Sequence, residues 1–195
     1  TVQNNPKYTM KTIKKLKENK ILSNRFLAVF NDEIELPDRT KSTYLRLGRK
    51  DGVIILPLTN ESEIITQEEY RYPVEKFVRH LPMGAIDDID NSHKEAAERE
   101  LLEELGYKAN NLILVDIYHN NASLSPSLTY AYIATGCRVA DKPKPENSEV
   151  FRNKTLTPLS KAENLLCEIR CTASKALIRH LICDQNLLLP TNHPK

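Results

Sequence analysis

Apolar residues fall in short, closely spaced runs up to about Leu81, take helical spacing from His93 to Leu105, return to short runs, and finish in helical spacing. From Ile21 to Arg49 the pattern predicts a hairpin. One strand runs through Phe26, Ala28 and Phe30 to about Leu36, Pro37-Asp38-Arg39 makes the turn, and a second strand runs from Tyr44 to Leu47. Lys50-Asp51-Gly52 punctuates, and the unbroken apolar run Val53-Ile54-Ile55-Leu56 is expected as a buried strand. Glu63 to Glu69 and Phe77 to Leu81 are two further short strands, separated by Tyr70-Arg71-Tyr72-Pro73. A helix is expected over His93 to Leu105, opened by a capping box of Ser92 and Glu95 and closed by Gly106 in a left-handed cap. Strands resume at Leu112–Tyr118, Leu128–Ala134 and Lys154–Leu159. Ser160 with Glu163 caps the first of two C-terminal helices, and Thr172 opens the second, which runs through Leu177 and Leu181. Strands first, one central helix and helices at the end argue for a mixed α/β sandwich and against a doubly wound parallel sheet.

Composition changes this picture little. The 195 residues make one domain, or one domain with a small appendage, and 40% hydrophobic with 28% charged residues is ordinary globular composition. A formal charge of +2 is too small to argue for nucleic acid or an anionic membrane as partner. Lysines gather between Lys7 and Lys20, and a solvated helical arm is expected there. No apolar run approaches the roughly 20 residues that span a bilayer, and no signal peptide is expected at the start. Four cysteines form no CxxC pair. Cys167 and Cys171, four apart, are expected to share a helix, and buried reduced thiols of a cytosolic protein are the simplest account of the set.

The central helix changes it more. Ala97, Leu101 and Leu105 fall on one apolar stripe, while Glu100, Glu103 and Glu104 crowd an adjacent arc of about 100°. The three carboxylates repel one another, and they sit toward the helix end where the macrodipole disfavours negative charge. Arg99, beside Glu103 on the wheel, offsets part of this. A hard divalent cation would offset more, since Mg²⁺ takes carboxylate oxygens together with waters and substrate phosphates. A solvated acidic face is the competing explanation.

Around this helix the sequence resembles the Nudix hydrolase family, whose signature runs Gly-x5-Glu-x7-Arg-Glu-U-x-Glu-Glu-x-Gly-U, U being an apolar residue. Arg99, Glu100, Leu101, Glu103, Glu104, Gly106 and Tyr107 match its second half without a gap, and Gly84 supplies the opening glycine after Leu81-Pro82-Met83. Tyr70-Arg71-Tyr72-Pro73 resembles a stretch frequent in the ADP-ribose pyrophosphatase branch. The resemblance implies an α/β fold, a Nudix-like α/β/α sandwich of mixed sheet with an N-terminal β-hairpin extension. With the basic arm over 1–20, the expected division is a dimerising hairpin over 21–49 and a catalytic domain over 50–195. The resemblance further implies Glu100 and Glu104 as principal metal ligands, Glu103 assisting, the backbone carbonyl of Met83 as a further ligand, and Arg99 orienting a box glutamate. Arg71 is expected to contact substrate phosphate or ribose. The expected cofactor is Mg²⁺, with Mn²⁺ as substitute, the expected substrate a nucleoside diphosphate derivative, and the expected assembly a cytoplasmic homodimer.

Three departures qualify the resemblance. The interval from Gly84 to Arg99 is one residue longer than the signature and lacks its first glutamate, with Asp90 and Asn91 in that neighbourhood. His80 stands where the branch commonly has a glutamate, and either contacts substrate or packs. Ala122 stands where the branch tends to carry a proline, the next being Pro126, which weakens ADP-ribose as the specific substrate. The general base is sought on the loop Lys142-Pro143-Lys144-Pro145-Glu146-Asn147-Ser148-Glu149, where Glu146 is preferred and Glu149 is the alternative. The expected reaction is attack of a metal-activated water on a P–O–P bridge. The rival expectations are a different nucleotide sugar or dinucleotide as substrate, and a catalytically silent nucleotide-binding module.

Overall fold

The structure, a computed structural model, describes residues 12–145 and 149–184. Its strands are β1 (Lys14–Lys17), β2 (Lys20–Ser23), β3 (Ala28–Glu35), β4 (Lys41–Gly48), β5 (Gly52–Thr59), β6 (Glu63–Arg71), β7 (Lys76–His80), β8 (Met83–Ala85), β9 (Tyr107–Lys108), β10 (Asn111–His119), β11 (Leu128–Val139) and β12 (Phe151–Pro158). Three helices, α1 (His93–Leu105), α2 (Ala162–Glu168) and α3 (Thr172–Cys183), complete it. The described residues divide into two compact units, one over 12–50 and 121–127, the other over 51–120, 128–145 and 149–184.

In the first unit, β3 pairs antiparallel with β1, β2 and β4. The expected hairpin is β3 and β4, but the lysine-rich stretch is not a helical arm: from residue 14 it forms strands that add to the hairpin. Lys17 and Lys20 flank only two residues, and Lys14 and Lys17 lie opposite Glu35 and Glu33, so cross-strand charge pairing favours the strand. One face carries Phe30, Asp32 and Ile34, all buried, with Arg46 donating to Asp32 (2.6 Å). The register puts Leu22, Val29 and Leu47 together on the other face, where Leu22 and Leu45 are exposed.

In the second unit the sheet order is β10-β11-β5-β6-β12, with β7 on β6, β8 on β5 and β9 on β11. Only β11 and β5 pair in parallel, so the sheet is mixed, as the order of elements predicts. β5 is buried along nearly its whole length, which is why its sequence is a continuous apolar run rather than an alternation. One sheet face buries Ile54, Leu56 and Ile64 against Leu165, Leu177 and Leu181 of α2 and α3; the other buries Val53, Ile55 and Ile65 against Ala97, Leu101 and Leu105 of α1. The result is an α/β/α sandwich.

α1 has the expected bounds. Ser92 Oγ accepts from Glu95 N (3.1 Å), but the return bond of the capping box shifts by one residue, Asn91 N donating to Glu95 Oε2 (3.0 Å). Gly106 takes the left-handed conformation at φ +76°. Ser160 is not a cap: it lies in a 3-10 turn over Leu159–Lys161, and α2 starts after it with no side-chain cap. Cys167 and Cys171 do not share a helix, because α2 ends at Glu168 and Cys171 precedes α3. Of the cysteines only Cys137 is buried, which pushes its thiol up to about 11; Cys167 and Cys183 are exposed. Among the described residues no helix is long and apolar enough to cross a membrane.

Candidate metal and diphosphate site

α1 lies across the sheet at the point where β8 pairs with β5, and its acidic arc divides there. Glu100 and Glu104, one turn apart, face inward with the apolar stripe and are buried at 7% and 4% exposure, while the Glu103 side chain turns outward to Arg99. Burial pushes the Glu100 carboxyl up to about 7, against the lowering effect of Arg99. Burial raises Glu104 well above the usual carboxylate range, and the charges of Glu100, Glu149 and Glu69 push it further the same way. In the metal-free protein both acids are therefore held toward the protonated form, and ionising them together carries a cost that a bound cation would offset.

Gly84 is the residue that lets Glu100 sit there. A Cβ at position 84 would fall 2.1 Å from Glu100 Oε1, so only glycine leaves room for the carboxylate against the β8 backbone. Met83, immediately before it, pairs with Ile54 in β5 and packs its side chain on the α2–α3 face, leaving its main chain beside the glycine.

The irregular loop between Gly84 and Arg99 closes on a fork of hydrogen bonds. Arg99 Nε and Nη2 donate to Asp90 Oδ1 (3.0 Å) and Oδ2 (2.9 Å), Nη2 also to the carbonyl of Ala85 (2.9 Å), and Nη1 to Glu100 Oε1 (2.8 Å) and Glu103 Oε2 (2.9 Å). The Asp90 bond is the leading reason the guanidinium is held even more firmly protonated than usual. Counted from Gly84, Asp90 occupies the position of the signature's first glutamate, and the extra residue lies between it and Arg99. The shorter acid and the longer loop together allow a two-point contact between Asp90 and Arg99.

Two residues that the sequence pattern did not single out complete the site. The Gln67 side-chain amide donates to Glu104 Oε2, and Glu69 pairs with Arg71 Nη2 at 2.6 Å. Both point from β6 toward α1, alternating with Thr66 and Glu68 on the other face. Two polar residues at inward positions of a mostly buried strand were the available signal. His80 is 1% exposed. Its Nδ1 lies 2.7 Å from the Leu81 carbonyl and so carries the proton there, while Nε2 stands 3.1 Å from Glu69 Oε2 without hydrogen-bond geometry. Histidine is thus enclosed among protein oxygens rather than presented to a ligand, and Arg71 is the more exposed member of the chain Arg71–Glu69–His80.

The late loop is tied at both ends to this region. Lys144 N donates to the carbonyl of Glu103 (2.8 Å) and Asp141 N to that of Gly106 (3.2 Å), while the Val150 carbonyl accepts from Tyr70 N (2.9 Å). Glu149 bears electrostatically on both Glu100 and Glu104. Glu146 lies outside the described residues.

Hard oxygen donors, buried and under-neutralised, fit a divalent cation in chemistry. Among the described residues, however, no group of three His, Cys, Asp or Glu side chains is arranged to hold a metal ion. Arg99 and Gln67 engage the two inner carboxylates instead.

A model of the NUDIX domain family matches residues 48–169. The chain is similar to the methanol dehydrogenase activator of Bacillus methanolicus, 26% identical over 85% of this chain and 89% of that protein. It is also similar to the ADP-ribose pyrophosphatase of Bacillus subtilis, 22% identical over 71% of this chain and 74% of that one. A crystal structure described as an ADP compounds hydrolase superposes with a TM-score of 0.79 at 21% identity, covering 90% of this chain and 95% of that one, which establishes the shared fold.

Proposed function

Because the chain belongs to the NUDIX domain family, we propose that it is a divalent-metal-dependent pyrophosphohydrolase acting on a nucleoside diphosphate joined to another moiety, with ADP-ribose or a related nucleotide sugar as the substrate. The products are a nucleoside monophosphate and a phosphorylated partner. Nudix hydrolases depend in general on divalent metal, and Mg²⁺, with Mn²⁺ as substitute, suits an all-oxygen donor set. The observation that carries the reading is the pair Glu100 and Glu104, buried one helical turn apart and held toward the protonated form, so that a bound cation would favour their ionised form.

Glu100 and Glu104 would hold the metal, Glu103 and the carbonyl of Met83 would assist, and Gln67 would orient Glu104. Bound there, the metal would lower the pKa of a water and neutralise diphosphate oxygens. Arg99 positions Glu100 and Glu103 and takes no part in the bond-breaking itself. Arg71, half exposed beside Glu69, suits a phosphate or ribose contact, and His80 would act only by packing beside Glu69. Of the two loop carboxylates, Glu149 is the better supported proton acceptor, since its charge already bears on both ligands. Free cysteines fit a cytoplasmic setting. The exposed apolar face of the first unit, with Leu22 and Leu45, supports a homodimer formed through this sheet.

The absence of a preassembled three-donor cage among the described residues favours a second reading, a regulatory or ligand-binding module on the same scaffold. A relative named as an activator of another enzyme is in keeping with it. A panel of nucleoside diphosphate derivatives assayed with Mg²⁺ or Mn²⁺ separates the two. Turnover is expected on at least one nucleotide sugar, with Glu104→Gln reducing it by about 10² or more. Turnover retained by that variant would overturn the metal assignment, and binding without turnover on every compound would favour the module.

A further inference from the structure

A cavity of about 700 Å³ opens between β6–β7 and the connection from α2 to α3. It lies mainly on the sheet face away from the acid cluster. Gln67 and Glu69 turn toward α1, whereas Phe77 and Arg79, opposite Tyr70 and Glu68 in register, turn toward α2, where Arg79 pairs with Glu168. One wall is apolar, formed by Val74 and Phe77, and the Phe77 ring is fixed by the edge of Tyr70 (5.6 Å) and by Arg152 (3.8 Å). The carboxylates lining the cavity are already taken: Glu168 by Arg79, and Glu68 by Arg152 and Asn153. Two lining cations, Lys76 and Arg170, form no ion pair among the described residues. An apolar wall facing unpartnered cations, at a volume within the usual range of small-molecule sites, calls for an anion carried on an apolar ring.

We propose that this cavity is a second binding site, for a phosphate monoester borne by an aromatic ring, with Lys76 and Arg170 taking the phosphate and the Val74–Phe77 wall taking the ring. Arg71 gives the cavity a connection to the acid cluster, because it lines the cavity and also pairs with Glu69. A phosphate that draws Arg71 toward itself removes a counter-charge from Glu69, so occupancy alters the charge that a metal meets on the other face. The choice of adenosine monophosphate as probe rests on the proposed reaction, of which a nucleoside monophosphate is a product; the chemistry of the cavity does not.

Cys171 lines the cavity and Cys167 does not, so the full chain carries its own reporter and reference. In EDTA, where no metal-dependent turnover occurs, iodoacetamide labelling of the two thiols is followed by peptide mass spectrometry. Saturating adenosine monophosphate is expected to slow labelling of Cys171 about fivefold or more by occupancy and to leave Cys167 unchanged. Neither inorganic phosphate nor adenosine alone should match it. The double variant Lys76→Glu, Arg170→Glu, both at exposed positions, should require about tenfold more ligand for the same protection. Equal protection by phosphate, no protection by any probe, or protection that survives the double variant would each overturn the site. Hydrolysis with Mg²⁺ is measured on the same preparation. Turnover without protection removes the cavity alone, and protection without turnover removes the proposed reaction alone.

Discussion

At Glu100, burial and a neighbouring arginine pull in opposite directions, and burial wins. Its folded pKa of about 7 lies above the ordinary 4.5, so between those values the metal-free folded state keeps a proton that the unfolded chain has released. Stability therefore falls as pH rises through this window, by about 3 kcal/mol from this residue alone. Glu104 acts with the same sign. Urea denaturation of the metal-free protein at a series of pH values should show the decline, and Glu100→Gln should flatten it. Mg²⁺ bound by the ionised carboxylates should reduce the slope and tighten as pH rises, which titration calorimetry at the two ends of the window would register. Asp90 is the other residue with a sharp expectation. Asp90→Ala leaves the largely buried Arg99 without the fork that fixes it, at a cost of about 1–3 kcal/mol, and should lower kcat more than it raises KM, because Glu100 loses its support. Unchanged kinetics with unchanged stability would show that the loop does not depend on this contact.

At the scale of elements, α1 was legible because its apolar stripe, its Ser92 cap and its Gly106 end all point to the same bounds. Gly106 is required twice: by its left-handed φ, and by the Asp141 carbonyl that a Cβ would approach to 2.3 Å. Gly106→Ala should cost about 1–3 kcal/mol, read from the urea midpoint, and should loosen the start of the Asp141–Pro145 segment that rests on the helix end. β1 and β2 were not legible, since four-residue strands rich in lysine owe their conformation to partners in β3. The same reason hid Gln67 and Glu69. Their roles come from α1, with Glu104 lying 37 residues from Gln67 in sequence, so polar inward positions in β6 mark buried polar contacts without naming the carboxylate they serve. The brace of the box was half legible: the spacing placed Asp90 near the right position, while the bidentate contact that compensates for the extra residue is a property of the folded loop.

For the whole molecule, the sandwich of the second unit leaves the chemistry on one face of the sheet and the α2–α3 pair on the other. The first unit offers a sheet with one filled face and one open apolar face, where Leu22 and Leu45 are more than half exposed. If that face joins two copies, sedimentation equilibrium should give twice the 22.3 kDa chain mass, and Leu22→Glu with Leu45→Glu should shift the protein to monomer. A monomeric unaltered protein would remove the homodimer from the proposal.

The fit of Asp90 to the longer loop makes substitutions in this segment interdependent. Replacing Asp90 by the longer glutamate in one step, with the extra residue still present, pushes a carboxylate into a space already fitted to the shorter acid; deleting the residue first pulls the acid away from Arg99. Each single change passes through a poorer intermediate, and only the pair returns a working clamp, which is sign epistasis enforced by the length of one methylene against one peptide unit. A search by the fixed spacing Gly-x5-Glu-x7-Arg would pass over this segment, although Asp90 and Arg99 are joined in the folded loop.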